Sequence, residues 1–245
     1  MKKIIIILFI FIPLLLLISC NPLQWASYPE QEFLENLSKE SWQEDLDYLL
    51  EKLLDGNPHL SQDPVLREDF LAAVSTLESS IISDNLSPEE IITNIAKALA
   101  LLEEGHTSIN TSPISYYPLL GRWLPAEPGG EEFLFVIAAD KTILAEEGEE
   151  VLGAQILGIR KPSSLGGDPL YFNGAEGELE TLLNSVISAD HENGYRNSHG
   201  NVLSNPVFLK GLGLADSTGI TYMVKIGEVE RDLSVEEIRG EDVDL

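Results

Sequence analysis

Four histidines and a single cysteine are the side chains whose types and positions could carry chemistry in this chain. His106 follows Gly105 at the predicted end of an amphipathic helix and, with Thr107, opens a short extended stretch. Imidazole titrates near neutral pH, so a histidine held at such a corner can act as a general base. The position also suits a structural histidine that bonds the last carbonyls of the helix. Taken alone, the residues favour the structural role for His106, and the catalytic role stays open.

The other histidines point to no site. His191 and His199 lie in a polar segment, at a spacing that matches neither an HExxH motif nor an i, i+4 helical pair. We therefore expect both to be surface residues, and we expect neither a metal site nor a cofactor. A Gly-x-Ser-x-Gly elbow, a Ser-x-x-Lys pair and a P-loop are all missing from the sequence. The segment from Gly211 to Asp216 fails as a dinucleotide fingerprint, because Asp216 stands where the third glycine belongs.

The cysteine predicts where the protein resides. A basic start precedes an apolar run from Ile4 to Ile18, which ends in Ser19-Cys20. This run is short for a spanning helix, which needs ~20 residues, and it fits the apolar region of a cleaved signal. The pattern resembles a bacterial lipoprotein signal with Cys20 as the lipidated residue. We expect a signal peptide over residues 1–19, a tether over residues 20–38, and acyl chains such as palmitate on Cys20; the alternative is a single-pass anchor.

Composition restricts the class of partner. The chain has 245 residues, with 15 Lys and Arg against 41 Asp and Glu and a formal net charge of −26. Phosphate backbones need clustered Lys and Arg, so nucleic acid is excluded as a partner. Acidic surfaces are not attracted to anionic lipid, so the acyl chains on Cys20 must hold the protein to the membrane. We expect an extracytoplasmic protein of the cell envelope, on the periplasmic or surface face of the outer or the cytoplasmic membrane.

Three amphipathic helices are predicted in the first half of the chain. The first carries a capping box that starts at Ser41, the second starts at Asp63-Pro64, and the third starts with the capping box at Ser87. The third helix has Gly105 as its expected C-terminal cap. Short loops join these helices, so residues 39–112 are predicted to form a small three-helix bundle.

The second half of the chain changes to strand-like patterns. Residues 133–139 and 154–159 favour strands. Apolar residues at every second position of 220–226 predict a third strand that is half-buried. A helix is predicted over 176–188, a polar connection over 190–205, and an acidic end without a closing apolar element over 228–245. The predicted fold class is therefore α+β, with the helical bundle followed by a β-rich module over 113–245 that contains one or two helices.

Several short motifs carry a resemblance to a known family. The chain resembles the N-terminal helical region of the tail-specific, tricorn-like serine peptidases, whose members open with a D-x-x-Y-L helix and close on D-G-H-T. The matching segments are Trp42 to Leu49, Asn57-Pro58-His59, Phe70 and Leu101 to Thr107, followed by Tyr117-Pro118, Phe133 to Ala139 and Leu152 to Ile159. In many members a PDZ-like module occupies this downstream stretch, so the resemblance implies a PDZ-like module here.

The resemblance also implies roles for single residues. The catalytic histidine of the family falls on His106, between Gly105 and Thr107, and Glu104 stands where aspartate is usual. The family's serine lies in a Gly-rich turn of a separate α/β domain, which we expect this chain to lack. Residues 163–167 read as a loop rather than as a substitute for that turn.

The leading hypothesis is a lipid-anchored protein related to the non-catalytic half of these peptidases, without peptidase activity of its own. Its partners would be extended peptides or unfolded protein, provided that the strand-rich region keeps an open edge. One alternative is an unrelated surface or periplasmic binding lipoprotein. Another is a peptidase fragment that becomes active when a partner chain supplies the serine to His106. The question of enzymatic activity stays open at this point.

Overall fold

A computed structural model describes residues 37–83, 85–105, 107–109, 115–172 and 178–239. The helices are α1 Lys39–Gly56, α2 Pro58–Gln62, α3 Pro64–Ser83, α4 Pro88–Ala100, α5 Lys141–Glu147, α6 Glu178–Asn184, α7 Glu192–Leu203 and α8 Pro206–Gly211. The strands are β1 Ser115–Tyr116, β2 Leu119–Pro125, β3 Glu132–Ala139, β4 Gln155–Arg160, β5 Pro169–Tyr171, β6 Ile220–Ile226, β7 Val229–Val235 and β8 Ile238–Arg239. Helices come first and strands mix with helices afterwards, so the predicted α+β class is confirmed.

The first helices begin at residues that can satisfy free backbone N–H groups. Ser38 caps α1 by accepting a hydrogen bond from the Ser41 N–H, so this helix starts before the expected capping box. Asp63 caps α3 through the N–H groups of Val65 and Leu66. Helix α4 has the predicted capping box, in which Ser87 and Glu90 each accept from the other's backbone N–H.

Two clusters of buried apolar residues form the interior. The first lies among α1–α4, and the second lies between the main sheet and helices α5–α8. Helix α4 contributes to both, because Leu99 belongs to the first cluster and Ala96 to the second. Helix α8 packs on α4 so closely that a Cβ at Gly211 would lie 2.1 Å from the Thr93 Oγ1. A glycine at the end of α8 therefore allows the helical and sheet regions to meet.

The main sheet is antiparallel, with strand order β2-β3-β4-β6-β7, and β5 pairs with β4 beside that path. Strand β2 pairs with β3 along its whole length, from Leu119 opposite Ala139 to Pro125 opposite Glu132. Pairing of β3 with β4 stops at Phe135 opposite Gln155, and β5 then takes the same edge of β4 from Gly158 onward. Strands β3 and β5 thus diverge along one edge of β4. Strands β1 and β8 form a separate pair.

Two expectations for the second half of the chain are wrong. Most of the polar segment 190–205 is helix α7, because Val202 and Leu203 of this segment are buried in the sheet-side core. Packing against β2 outweighs the poor helix propensity of its glycine, asparagine and serine residues. The acidic end also contains a closing strand, β7, which buries Leu233 and Val235. The described part of 113–245 therefore holds four helices rather than one or two.

Within the residues that the structure describes, no helix is long and apolar enough to cross a bilayer.

Candidate functional site

Two of the residues singled out from the sequence, Cys20 and His106, lie outside the described residues. Their neighbours Gly105 and Thr107 are described: Gly105 is exposed and Thr107 is half-buried. Helix α4 ends at Ala100, so Gly105 is not its cap as the sequence predicted. The left-handed residue after this helix is Glu103, with φ of 47°. A non-glycine residue in this region is uncommon, so the chain direction after α4 is set by Glu103 rather than by glycine.

Glu104 accepts hydrogen bonds at both its side chain and its backbone carbonyl. The Glu104 Oε2 accepts a bond of 2.9 Å from the Thr107 hydroxyl and another of 2.9 Å from the Asn57 side-chain amide. The Thr107 N–H also donates to the Glu104 carbonyl at 3.1 Å. Charge-assisted bonds of this kind are stronger than bonds between neutral groups. Glu104 therefore binds Thr107 through both its side chain and its carbonyl, and it binds Asn57 through its side chain.

Two more distant elements complete this arrangement. Asn57 is buried between α1 and α2, and its Oδ1 caps α2 through the N–H groups of His59 and Leu60. The Ser188 hydroxyl donates to the Glu104 carbonyl at 2.7 Å and accepts from the Glu104 N–H at 3.1 Å. We call Asn57, Glu104, Thr107 and Ser188 the corner network. It joins the end of α4 to the helical region on one side and to the segment after α6 on the other.

His199 lies within α7 and His191 lies at its N-terminal boundary, and the two have opposite surroundings. His191 is exposed, as predicted, and its Nδ1 lies 3.1 Å from the Asp190 carboxylate. His199 is 0% exposed, so the expectation of a surface histidine is wrong for this residue. Its burial follows from the helix that the sequence pattern did not predict. The helical turn from Arg196 to Gly200 faces β2, and a Cβ at Gly200 would lie 2.1 Å from the Gly121 carbonyl oxygen.

His199 connects two partners across the interior. The Trp123 Nε1–H donates to the His199 Nδ1 at 3.0 Å, and the His199 Nε2 lies 2.7 Å from the Asn184 Oδ1. Because Nδ1 accepts from the indole, the proton of the neutral ring is on Nε2 and is donated to Asn184. Burial, with a smaller contribution from the Arg196 guanidinium, lowers the pKa of His199 from 6.5 to about 4. The ring is therefore neutral at physiological pH.

An open cavity lies where β3 and β5 diverge along β4. It has a volume of about 320 Å³. We call this cavity the fork pocket. It is lined by Trp123, Phe133, Leu134, Gln155, Ile156, Leu157, Tyr171 and Phe172. Most are apolar or aromatic, and Tyr171 is 44% exposed at the rim. A mainly apolar cavity with few polar groups is the usual form of a binding site for an organic group.

Trp123 is shared by the pocket and the buried histidine. Its ring meets Phe172 edge-on at a centroid distance of 5.6 Å, and the Arg196 guanidinium lies 5.2 Å from its centroid. Arg196 is in turn paired with Glu132 at 3.2 Å and with Glu192 at 3.1 Å. A cation over an indole face is favourable, and two carboxylates keep this cation in place. The Trp123 ring is thus held from one face and at its nitrogen.

No family model matches the chain, and no curated protein matches it. The resemblance to tail-specific peptidases remains a prediction from short motifs. Across the described ranges, no group of three or more His, Cys, Asp and Glu side chains is arranged to hold a metal ion.

Sequence reasoning singled out Gly105, His106 and Thr107, and it did not predict the pocket. Two residues of the corner network lie in short motifs that can be read from the sequence: Asn57 precedes a proline, and Glu104 directly precedes Gly105. The pocket residues come from β2, β3, β4 and β5, and they meet only through strand pairing. The one available signal was local: four aromatic residues, at positions 123, 133, 171 and 172, lie in or beside strand-like runs.

Proposed function

We propose that this protein is a lipid-anchored extracytoplasmic protein that binds extended peptide segments in the fork pocket and has no peptidase activity of its own. The observation that carries the proposal is the cavity of about 320 Å³ with aromatic walls at the point where β3 and β5 diverge. Cavities that bind small organic groups measure about 300–1,000 Å³. The fork pocket therefore has room for one or two apolar side chains rather than for a large cofactor.

Strand geometry supports an extended ligand. The edge of β3 that faces β4 is paired at Phe135, and pairing does not continue to Phe133 or Glu132 among the described strands. A peptide laid along this edge in extended form could bond to the backbone and direct alternate side chains into the pocket. Because side chains alternate along a strand, a ligand with apolar residues at every second position fits best.

Charge supports a basic ligand. The chain carries a formal net charge of −26, which favours cationic partners and disfavours acidic ones. The hairpin loop between β2 and β3 adds Glu127 and Glu131, both exposed, close in sequence to Phe133 of the pocket. A ligand with aromatic residues alternating with lysine therefore satisfies both the pocket and the surface charge.

Peptide binding can be tested on the full chain purified in detergent. The probe is a blocked, fluorescein-labelled heptapeptide of alternating lysine and phenylalanine, with fluorescence anisotropy as the readout. We expect saturable binding that weakens with salt, and Tyr171→Ala should weaken it about tenfold because part of an aromatic wall is lost. Tyr48→Ala is the matched control, since Tyr48 is 64% exposed on α1 and lines no part of the pocket.

Two further peptides make the test specific. Replacement of phenylalanine by serine removes the groups that would fill the pocket, and replacement of lysine by glutamate reverses the charge. Both changes should abolish binding at the same protein concentration. Equal binding of the serine peptide, or equal effects of Tyr171→Ala and Tyr48→Ala, would show that the acidic surface alone attracts the probe and would contradict the proposal.

The lipid anchor is tested separately at Cys20. Cells that express the full chain are fed an alkyne fatty acid, and the chain is recovered and labelled. We expect label on the wild type and none on Cys20→Ser, because the thiol is the acylated group. Equal label on both chains would refute the lipoprotein assignment.

A second candidate function is a peptidase fragment that completes a partner's active site. The corner network favours it, because Ser188 binds the Glu104 backbone and Asn57 binds the Glu104 side chain, directly before Gly105. Under the first proposal a fluorophosphonate probe should label neither the purified chain nor a protein recovered with it from cells. Labelling of a recovered partner that is lost in His106→Ala would support the second candidate, in which the partner supplies the serine.

A further inference from the structure

We propose that His199, which lines no part of the fork pocket, is a positioning residue that fixes the Trp123 ring as the pocket wall. The inference rests on the proposed function, because it assigns the residue on which binding in that pocket depends. His199 reaches the pocket walls through the bond from the Trp123 Nε1–H to its Nδ1, with a distance of 3.0 Å. Its ring also contacts the Trp123 and Phe172 rings, at centroid distances of 5.9 Å and 6.1 Å, but the hydrogen bond is the directional contact. Its other ring nitrogen is used by Asn184 at 2.7 Å, so the ring is held at both ends.

The indole needs this fixation because it lies at the border between interior and cavity. Trp123 is half-buried, with Phe172 edge-on at 5.6 Å and the pocket on its open side. Protein atoms do not pack against the indole on the side that lines the cavity, so protein packing on that side does not resist rotation of the ring. A directional bond at Nε1 supplies the resistance that packing does not. The ring is then already oriented when a ligand arrives, which lowers the entropic cost of binding.

Charged groups around His199 leave it neutral and leave the bond intact. Arg196, one turn earlier on α7, is the charged group that faces it most directly, and Arg196 is itself paired with Glu132 and Glu192. The neighbouring groups on β2 and α6 are Trp123 and Asn184, and neither is charged. A positive charge on His199 would lie beside Arg196 and would convert Nδ1 from an acceptor into a donor. The site is thus built for the neutral ring that Trp123 requires.

Two substitutions separate a positioning role from a filling role. His199→Gln retains an amide oxygen that can accept from Trp123 and an amide N–H that can donate to Asn184. His199→Leu fills similar space but leaves the Trp123 N–H and the Asn184 oxygen without this partner. Val202→Ala is the matched control: Val202 is buried one turn later on the same helix and belongs to the same core, but it neither lines the pocket nor contacts these groups through a hydrogen bond.

The experiment measures ring position and affinity in the same samples. The full chain is produced in detergent with 5-fluorotryptophan, and the ¹⁹F resonance of Trp123 is assigned by its loss in Trp123→Phe. We expect His199→Leu to shift or broaden this resonance and to weaken binding of the lysine–phenylalanine heptapeptide about fivefold or more. His199→Gln should restore the resonance and bring affinity within about twofold of the wild type. Val202→Ala should lower stability in urea while resonance and affinity stay unchanged.

The two proposals fail in different ways. If the wild type does not bind the heptapeptide, the proposed function fails, and the ¹⁹F resonance alone decides the role of His199. An unchanged Trp123 resonance in His199→Leu overturns the positioning role, whatever the affinity. Equal loss of affinity in His199→Leu and Val202→Ala also overturns it, because general destabilisation would then explain both. If His199→Leu does not fold, His199→Phe replaces it, because phenylalanine also lacks an acceptor for the Trp123 N–H, and an unchanged resonance in that variant has the same meaning.

Discussion

The four residues of the corner network share five hydrogen bonds, and the His199 ring makes two, in very different surroundings. Glu104, Thr107 and Ser188 are half-buried, so water can replace a bond that is lost there. His199 is 0% exposed, and water has no comparable access to its partners. A buried donor or acceptor without a partner costs more free energy than the bond contributed when present. The comparison teaches that a bond lost at Glu104, Thr107 or Ser188 costs less than a bond lost at His199.

The largest expected effect is that of Gly200→Ala, which disrupts the contact between α7 and β2 that places His199 beside Trp123. The new Cβ would lie 2.1 Å from the Gly121 carbonyl oxygen, a backbone atom that cannot move aside alone. Helix α7 must then retreat from β2 and carry His199 away from Trp123. Overpacking of this kind costs about 3 kcal/mol of unfolding free energy. Urea denaturation measures this loss, and an unchanged midpoint would mean that α7 does not pack against β2 at Gly121.

The second prediction concerns the pH dependence of stability. The pKa of His199 is lowered to about 4 in the folded protein, against 6.5 for the free side chain. Between these values the unfolded chain binds a proton that the folded protein does not, so stability is full above pH 6.5 and is lost as the pH falls towards 4. The shift corresponds to about 3 kcal/mol in total, of which about 2 kcal/mol is lost by pH 5.

Replacing His199 by a residue that does not titrate separates its contribution to the pH dependence of stability from that of the many carboxylates. Urea melts at pH 7 and pH 5 should show a smaller loss for His199→Gln than for the wild type, by about 2 kcal/mol. His191→Gln is the matched control, because it also replaces a histidine by glutamine but at an exposed position at the start of the same helix. The same pH slope in all three proteins would contradict the buried, neutral histidine.

The difference between contacts that are local in sequence and contacts that are distant explains what could be predicted from the sequence. Helix α4 was predictable because Ser87, Pro88 and Glu90 form a capping box within four residues, and the apolar period follows directly. Strand β6 was predictable from the period-two pattern of residues 220–226. In these elements local sequence and tertiary packing favour the same structure, so the prediction of an α+β fold held.

Local reasoning failed where tertiary contacts decide the structure. Helix α7 has a polar sequence, and its conformation depends on contact with β2, about seventy residues earlier in the chain. The burial of His199 follows from that contact, since its partners are Trp123 and Asn184. The end of α4 was misplaced for a different reason: Gly105 is the common type of cap, but Glu103 takes the left-handed conformation.

A third prediction divides the corner network into its parts. Asn57 both caps α2 and donates to Glu104 at 2.9 Å, so Asn57→Ala should cost about 2 kcal/mol. Asn57→Ser keeps an acceptor for the cap but is too short to reach Glu104, so it should cost about 1 kcal/mol. Urea melts of both variants give the two contributions. Equal costs would show that the bond to Glu104 contributes nothing and that the corner is held by Ser188 and Thr107.

The smallest expected effect is that of Gly105→Ala, the counterpart of Gly200→Ala at the corner. A Cβ at Gly105 would meet the Asp190 Oδ1 at 3.8 Å, an ordinary contact, and its φ lies outside the left-handed range. Alanine also restricts the unfolded chain more than glycine does, so stability should be unchanged or higher by about 0.5 kcal/mol. Urea melts of both alanine variants, run side by side, measure the contrast. If Gly105→Ala proved as costly as Gly200→Ala, Gly105 would act as the left-handed cap that the sequence predicted, and the chain path through Glu103 would be wrong. Because both substitutions add one methyl group, the difference between them depends on the space around each glycine and not on the chemistry of the change.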